Sequence, residues 1–317
     1  MDTRMKILIA YDGSDCADAA LNDLQRAGLP SKADALVISV AEAWLPPPPP
    51  SSYEIVETVL ADKGATKEAK VSETDSGALA DAQALATEAA TRIQSSFPDW
   101  NVRAEAQSGS PASELLGKTD EWEPDLIVVG SHGRSAIGRL ILGSVSHKIA
   151  IEARCSVRIA RSHTRKPDSP ARIVVGVDGS TGAAECARAA AMREWPQGSE
   201  LRMVAAFDTI SPTIAGSLIP PVVHWAEEQN RAAVELVKSM VESLEAEFRA
   251  SGLSVSHIVK PGDPKRVLVQ EAEGWEADCI FVGARGLSRI DRFLLGSVSS
   301  AVASRAHCSV EVVRTAR

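Results

Sequence analysis

Apolar and polar positions follow two rhythms along the chain, and both rhythms occur twice. A short apolar run at 7–11 ends in Asp12-Gly13-Ser14, and another at 173–177 ends in Asp178-Gly179-Ser180. Runs this short, closed by turn residues, predict buried strands. An Ala-rich segment follows each run, with Ser14 or Ser180 placed to cap a helix. Residues 36–40 and 201–206 predict second strands. The period then changes. Leu79, Ala82, Ala86, Ala89 and Ile93 recur at helical spacing, as do Ala233, Val237, Met240, Leu244 and Phe248. Each set makes one apolar helix face. Third strands fall near 102–106 and 255–259, and short helices start near Pro111 and Pro264, where proline suits the first turn. Fourth strands at 126–129 and 279–282, last helices at 145–153 and 298–306, and final strands at Ser156–Ala160 and Ser309–Val313 complete each half.

The recurrence is a duplication. Residues 125–161 and 278–314 align without a gap at an offset of 153, with 19 of 37 positions identical. The first strands match at an offset of 166, so the first half carries 13 extra residues in its middle. That period is too long for a solenoid unit. The pattern predicts one domain over 1–161, a polar linker with two prolines over 162–171, and a second domain over 172–317. Strands alternating with helices predict an α/β fold, with a parallel sheet and helices on both faces in each half. Ligands of such sheets bind beyond the carboxyl ends of the strands, at the switch point. The first and fourth strands end in the most distinctive residues of each half.

Charge removes some partners. With 34 Lys+Arg against 42 Asp+Glu the net charge is -8, which argues against nucleic acid and against an anionic membrane surface. No apolar run is long enough to span a bilayer. The five cysteines are odd in number and lack CxxC spacing, so reduced thiols and a cytoplasmic location are expected. Cys155 and Cys308 match across the repeat and read as small apolar residues at strand starts.

The chemistry concentrates after the fourth strands. Gly130-Ser131-His132-Gly133 is followed by nine residues and Gly143-Ser144; Gly283-Ala284-Arg285-Gly286 is followed by nine residues and Gly296-Ser297. Glycines at a strand end admit close approach of backbone to a ligand. Gly-Ser opens a helix whose free N–H groups and dipole favour an anion. Together these can cradle a phosphate chain.

The doubled Gly-x2-Gly-x9-Gly-Ser spacing resembles the ATP-binding motif of the universal stress protein family. The resemblance extends to the Asp-Gly-Ser ends of the first strands, the proline-led helix after Gly109 or Gly262, and the closing Cys-Ser-Val-x-x-x-Arg. It implies two tandem Rossmann-like (adenine nucleotide α hydrolase-like) domains, each with a parallel five-stranded sheet. It also implies ATP as cofactor, with Mg2+ a further option, though no metal ligand can be named. By position, Asp12 and Asp178 would contact the nucleoside, and Val40 and Ala205 would offer backbone to adenine. Gly130 and Gly283 would meet the ribose, while Gly133, Gly143, Ser144, Gly286, Gly296 and Ser297 would surround the phosphates. Ala10 and Gly176, Val129 and Val282, and Val145 and Val298 complete the walls. The usual Cys-Pro-Val at the last strand is Cys-Ser-Val here, at Ser156 and Ser309.

Other readings stand beside these. The glycine loops could be an inheritance without a ligand, and Asp12 and Asp178 could serve only to cap the next helix. His132 has Arg285 as counterpart, which speaks against a shared catalytic role. Arg139 and Arg292 suggest salt bridges, and Trp122 and Trp275 suggest packing before the fourth strand. No P-loop, kinase, HExxH or GxSxG motif is present. The rivals to ATP binding are a slow ATPase or autokinase with Ser144 and Ser297 as nearest hydroxyls, a nucleotide-free interaction protein, and a cyclic-nucleotide binder. Prolines 46–50 and the polar stretch 61–76 suggest a surface loop. The bare final strands predict that residues 155–161 and 308–314 pair antiparallel, making an intramolecular pseudo-dimer with its two sites on separate sheets. A further homodimer is compatible with this arrangement.

Overall fold

The computed structural model of the chain describes residues 4–42, 65–133, 142–162, 165–166, 168–207, 220–248, 253–284, 286 and 295–314. The first half runs β1 (Met5–Ala10), α1 (Asp15–Leu24), β2 (Ala33–Glu42), α2 (Ala65–Ser96), β3 (Asn101–Gly109), α3 (Pro111–Trp122), β4 (Leu126–Gly130), α4 (Ser144–Glu152) and β5 (Ser156–Ala160). The second repeats the order as β6 (Arg172–Val177), α5 (Thr181–Ala191), β7 (Glu200–Phe207), α6 (Pro220–Phe248), β8 (Ser254–Pro261), α7 (Pro264–Gly274), β9 (Cys279–Gly283), α8 (Ser297–Arg305) and β10 (Ser309–Val313).

The ten strands of the described residues form one sheet, in the order β3-β2-β1-β4-β5-β10-β9-β6-β7-β8. Pairing is parallel within each half and antiparallel only between β5 and β10, where Val157 faces Val312 and Ile159 faces Val310. The antiparallel seam fulfils the expectation. The separate sheets do not: joining two edge strands by main-chain hydrogen bonds necessarily fuses two sheets into one. Each half turns back at its own switch point, between β1 and β4 or between β6 and β9.

Local sequence explains the elements. Ser14 and Ser180 cap α1 and α5, their hydroxyls accepting from the N–H groups of Ala17 and Ala183. One apolar layer, including Leu8, Ile127, Val157, Val174, Ile280 and Val310, runs under the sheet through both halves. On the other face each half keeps its own cluster, around Ala20, Ala86 and Ile93 or around Ala187, Val241 and Leu244. The α2 face begins at Ala82 rather than Leu79, which is 38% exposed. The helix itself starts at Ala65, inside the stretch expected to be a loop. The stretch lacks apolar periodicity in sequence, yet its Ala, Lys and Glu favour helix. Prolines 46–50 lie outside the described residues.

The linker is held by a buried arginine. Arg26, just past α1, donates from Nη1 to the carbonyls of Lys166 and Ser169 and to Ser169 Oγ at 2.8 Å. Its Nη2 pairs with Asp278 of the second half at 2.9 Å. Both side chains are nearly inaccessible, at 1% and 4% exposure, so this pair joins the halves away from the β5–β10 ladder.

Candidate functional site

The carboxyl ends of β1 and β4 bring the first half's distinctive residues together. Beyond Tyr11, whose N–H donates to Ile38 O at 2.9 Å, Asp12 turns the chain. Its Oδ1 accepts from the Ser14 N–H at 3.0 Å, and Gly13 takes φ 74°. Asp178 and Gly179 repeat this, with 3.0 Å and φ 84°. Both aspartates therefore fix the turn before the capped helix. The same carboxylates border the glycine loops. A β-carbon on Gly133 would come within 3.1 Å of Asp12 Oδ2, and one on Gly286 within 2.4 Å of Asp178 Oδ2.

The two loop ends are tied in the same way. Gly143 N–H donates to Ser131 O at 2.8 Å, and Gly296 N–H to Ala284 O at 2.8 Å. A β-carbon on Gly143 would press on His132 Cα at 3.2 Å and Ser131 O at 3.4 Å, so glycine permits the helix to start against the loop. Ser146 Oγ donates to Gly130 O, and Ser299 Oγ to Gly283 O, each at 2.6 Å. The sequence reading missed these two serines, although a second Ser follows Gly-Ser-Val in both halves. They hold the strand end against the cradle helix.

Gly143 and Gly296 are the N-caps of α4 and α8 and have no side chain to accept from the first N–H groups; neither helix has an acid in its first turn. By contrast, α1 has a serine cap and Asp15 and Asp18 in that turn. The positive end of each cradle helix is thus left to an outside acceptor. His132 adds to the first loop. Its Nδ1 lies 3.0 Å from Ser131 Oγ, while Nε2 is buried with no partner among the described residues. Burial, and secondarily the Arg161 charge, holds its pKa below the usual histidine value. An anion with hydrogen-bonding oxygens fits this arrangement.

The remaining expected residues divide. Ala10, Val40 and Val145 are partly buried against the shared apolar layer, with Val129 inside it; Val282 and Val298 repeat this in the second half. Gly176 packs under Leu268 and Val282. Gly130 is explained by packing, since a β-carbon there would lie 2.8 Å from Cys16 O in α1. Ala205 does not match Val40. It pairs with Val177 and belongs to the opposite-face cluster. Ala10 pairs with Ile38 and Gly176 with Val204, so Ala206 is the register equivalent of Val40 and packs on the same face. Trp122 and Trp275 pack against the shared layer as expected. Burial raises the Cys155 thiol to about 11 and Cys308 to about 12. Arg139, Arg285 and Arg292 lie outside the described residues.

Among the described residues no cluster of three metal-ligating side chains occurs, and no helix is long and apolar enough to cross a membrane. A groove of about 550 Å3 follows the linker past Lys166, Arg172 and Glu200. Arg172 and Glu200 begin β6 and β7, so it lies at the end of the sheet opposite the glycine loops.

Fold and paired loops define a class: tandem α/β proteins with a glycine-rich loop running into a helix N-terminus at each switch point. The universal stress protein family model matches residues 3–161 and again 171–314, and the chain belongs to that family as a tandem two-domain member. A universal stress protein of Mycobacterium tuberculosis is 28% identical over 315 residues, covering 97% of this chain and 96% of that one. Another from the same organism is 31% identical over 192 residues, 60% of this chain and 61% of the relative. In fold, the chain is similar to a universal stress protein structure from Archaeoglobus fulgidus, with a TM-score of 0.61 at 19% identity and 98% of both chains covered.

Proposed function

We propose that each half binds one adenine nucleotide, ATP, and that the chain acts in a cytoplasmic stress response through nucleotide-dependent shape or partner binding. The observation that carries this reading is the doubled cradle. In each half, an uncapped helix N-terminus at Gly143 or Gly296 meets a loop that passes the carboxylate of Asp12 or Asp178. The N–H groups at the start of α4 and α8, with the hydroxyls of Ser144 and Ser297, would take the phosphates. Ala10, Val40 and Val145 would line the nucleoside side of the first site, and Gly176, Ala206 and Val298 that of the second. Mg2+ carried in on the phosphates belongs to the proposal, with Asp12 and Asp178 the acids bordering each loop. A nucleotide supplies a multiply charged group that screens the helix dipole and a planar base that fills the apolar wall.

Native mass spectrometry of the full chain tests this. The expected spectrum contains species heavier by one and two adenine nucleotides after purification or on adding ATP. A spectrum that stays at the bare mass with millimolar ATP overturns the reading.

A further inference from the structure

The Cys-Ser-Val-x-x-x-Arg segment that closes each half has no part in the nucleotide reading, yet it makes contacts that are reciprocal between the halves. Arg161 follows β5, but its guanidinium reaches α8 of the other half. Nη2 donates to Ala303 O at 2.5 Å and Nη1 to Cys308 O at 3.2 Å. Arg314 follows β10 and reaches α4 of the first half. Nη2 donates to Ala150 O at 2.6 Å and to Ile151 O at 3.1 Å. The backbone crosses in the same sense: Arg161 N–H donates to Ser309 Oγ at 3.0 Å, and Arg314 N–H to Ser156 Oγ at 3.1 Å. A proline at 156 or 309 could not accept these bonds, so the serines at those positions serve the seam.

Three of the recipients, Ala150, Ile151 and Ala303, are among the last carbonyls of the two cradle helices, and Cys308 lies just beyond α8. A helix leaves its final carbonyls without internal donors, and a cation there complements the dipole. In α4 the Ala153 N–H takes Ile149 O, so the carbonyls of Ala150 and Ile151 need outside donors, and Arg314 supplies both. No basic residue of α4 stands in its last turn. For α4 the complementing charge comes from the other half, whereas α8 has Arg305 in its own last turn and takes Arg161 in addition.

We propose that Arg161 and Arg314 are cross-domain positioning residues. Each fixes, from the opposite half, the helix whose far end forms the phosphate cradle. A helix of nine residues is a rod of about 13 Å, so an anchor at one end sets the tilt and height of the N–H groups at the other. The first site therefore depends on the second half through Arg314, and the second site on the first half through Arg161. The effect on nucleotide affinity rests on the reading in the previous subsection; the anchoring does not.

The test uses the full chain with Arg314→Gln or Arg161→Gln, each combined with Gly296→Val or Gly143→Val so that one site is titrated with ATP at a time. Arg314→Gln should weaken the first-half site about fivefold and leave the second unchanged, and Arg161→Gln should do the reverse. Lysine at either position should restore most of the loss. Equal loss at both sites, or none at either, overturns the proposal. Hydrogen exchange without nucleotide gives an independent readout. Arg314→Gln should speed exchange of α4 amides and not α8 amides, with Arg161→Gln the mirror image. If the wild-type chain binds no ATP, the nucleotide reading falls and exchange alone decides the anchoring. Unchanged α4 exchange in Arg314→Gln then refutes it.

Discussion

The glycine loops and the buried charged centre of the seam, at Arg158 and Glu311, treat the duplication in opposite ways. The loops are copies in bonding as well as in sequence: Gly143 and Gly296 each donate to a loop carbonyl at 2.8 Å, and Ser146 and Ser299 each hold a strand-end carbonyl at 2.6 Å. At the seam, the same repeat position holds Arg158 in one half and Glu311 in the other, and the two face each other across the ladder. Their Nη1–Oε2 distance is 3.2 Å, and both side chains are 1% exposed. Asp23 holds the far side of Arg158 at 2.6 Å, and Arg193 pairs with Glu311. The repeat counterparts of Asp23 and Arg193 are Ala189 and Ala27, so neither outer charge is duplicated.

The contrast has a physical cause. Each loop sits at the switch point of its own half, away from the β5–β10 seam, so the same bonding works twice. A position on the pseudo-twofold axis meets its own copy, and a buried charge there cannot face itself without repulsion. Divergence to Arg and Glu turns that conflict into an alternating row of charges. Burial opposes the charge on Arg158, but Asp23 and Glu311 outweigh it and raise its pKa above the ordinary arginine value.

Breaking the row should have the largest effect. Arg158→Met leaves Asp23 and Glu311 buried beside each other, and should cost about 3–5 kcal/mol of stability in a denaturant titration. A loss under about 1 kcal/mol would mean that the row contributes little. Exchanging the charges, with Arg158→Glu and Glu311→Arg together, should recover only part of the loss, because Asp23 and Arg193 then face like charges. Full recovery would show that the ladder pair acts alone.

The loops give the next effect and expose a small asymmetry. Gly286→Ala would place a β-carbon 2.4 Å from Asp178 Oδ2, whereas Gly133→Ala would leave 3.1 Å to Asp12 Oδ2. The first must displace the Asp178 carboxylate. ATP affinity should fall about tenfold, ~1.4 kcal/mol, in the second half and only a few-fold in the first. Equal losses in separate titrations of the two sites would contradict this ordering.

The smallest effect is pH. Burial lowers the His132 pKa from its ordinary 6.5, so folding favours the neutral imidazole. Its contribution is complete above about 6.5 and is lost as pH falls through the lowered folded value. Thermal stability of the wild type should decline over that interval, and His132→Asn should flatten the decline. The second half has Arg285 at this position and contributes no matching step.

Most of the fold was legible because it rests on short-range rules. The final strands Ser156–Ala160 and Ser309–Val313 stand where the apolar runs placed them, and Ser14, Ser180, Pro111 and Pro264 mark helix starts. The seam's charges were not legible. Arg158 and Glu311 sit in strands of five residues, where a charged residue reads as facing water, and only the partner strand shows that water is absent. Arg26 and Asp278 were hidden for the same reason, since they lie 252 residues apart. The Ala205 assignment failed by one residue, and one residue changes the face of a strand. The correct position, Ala206, follows from adding the repeat offset of 166 to Val40. Ser146 and Ser299 were also within reach, as repeated serines one helical turn inside the cradle.

Calorimetric titration of the full chain with ATP counts the sites and their affinities at once. Two ATP should bind per wild-type chain, one to either Gly143→Val or Gly296→Val, and none to the double variant, with each lost site weakened at least about tenfold. A correctly folded wild type that binds less than one ATP, or a double variant that still binds two, would contradict it.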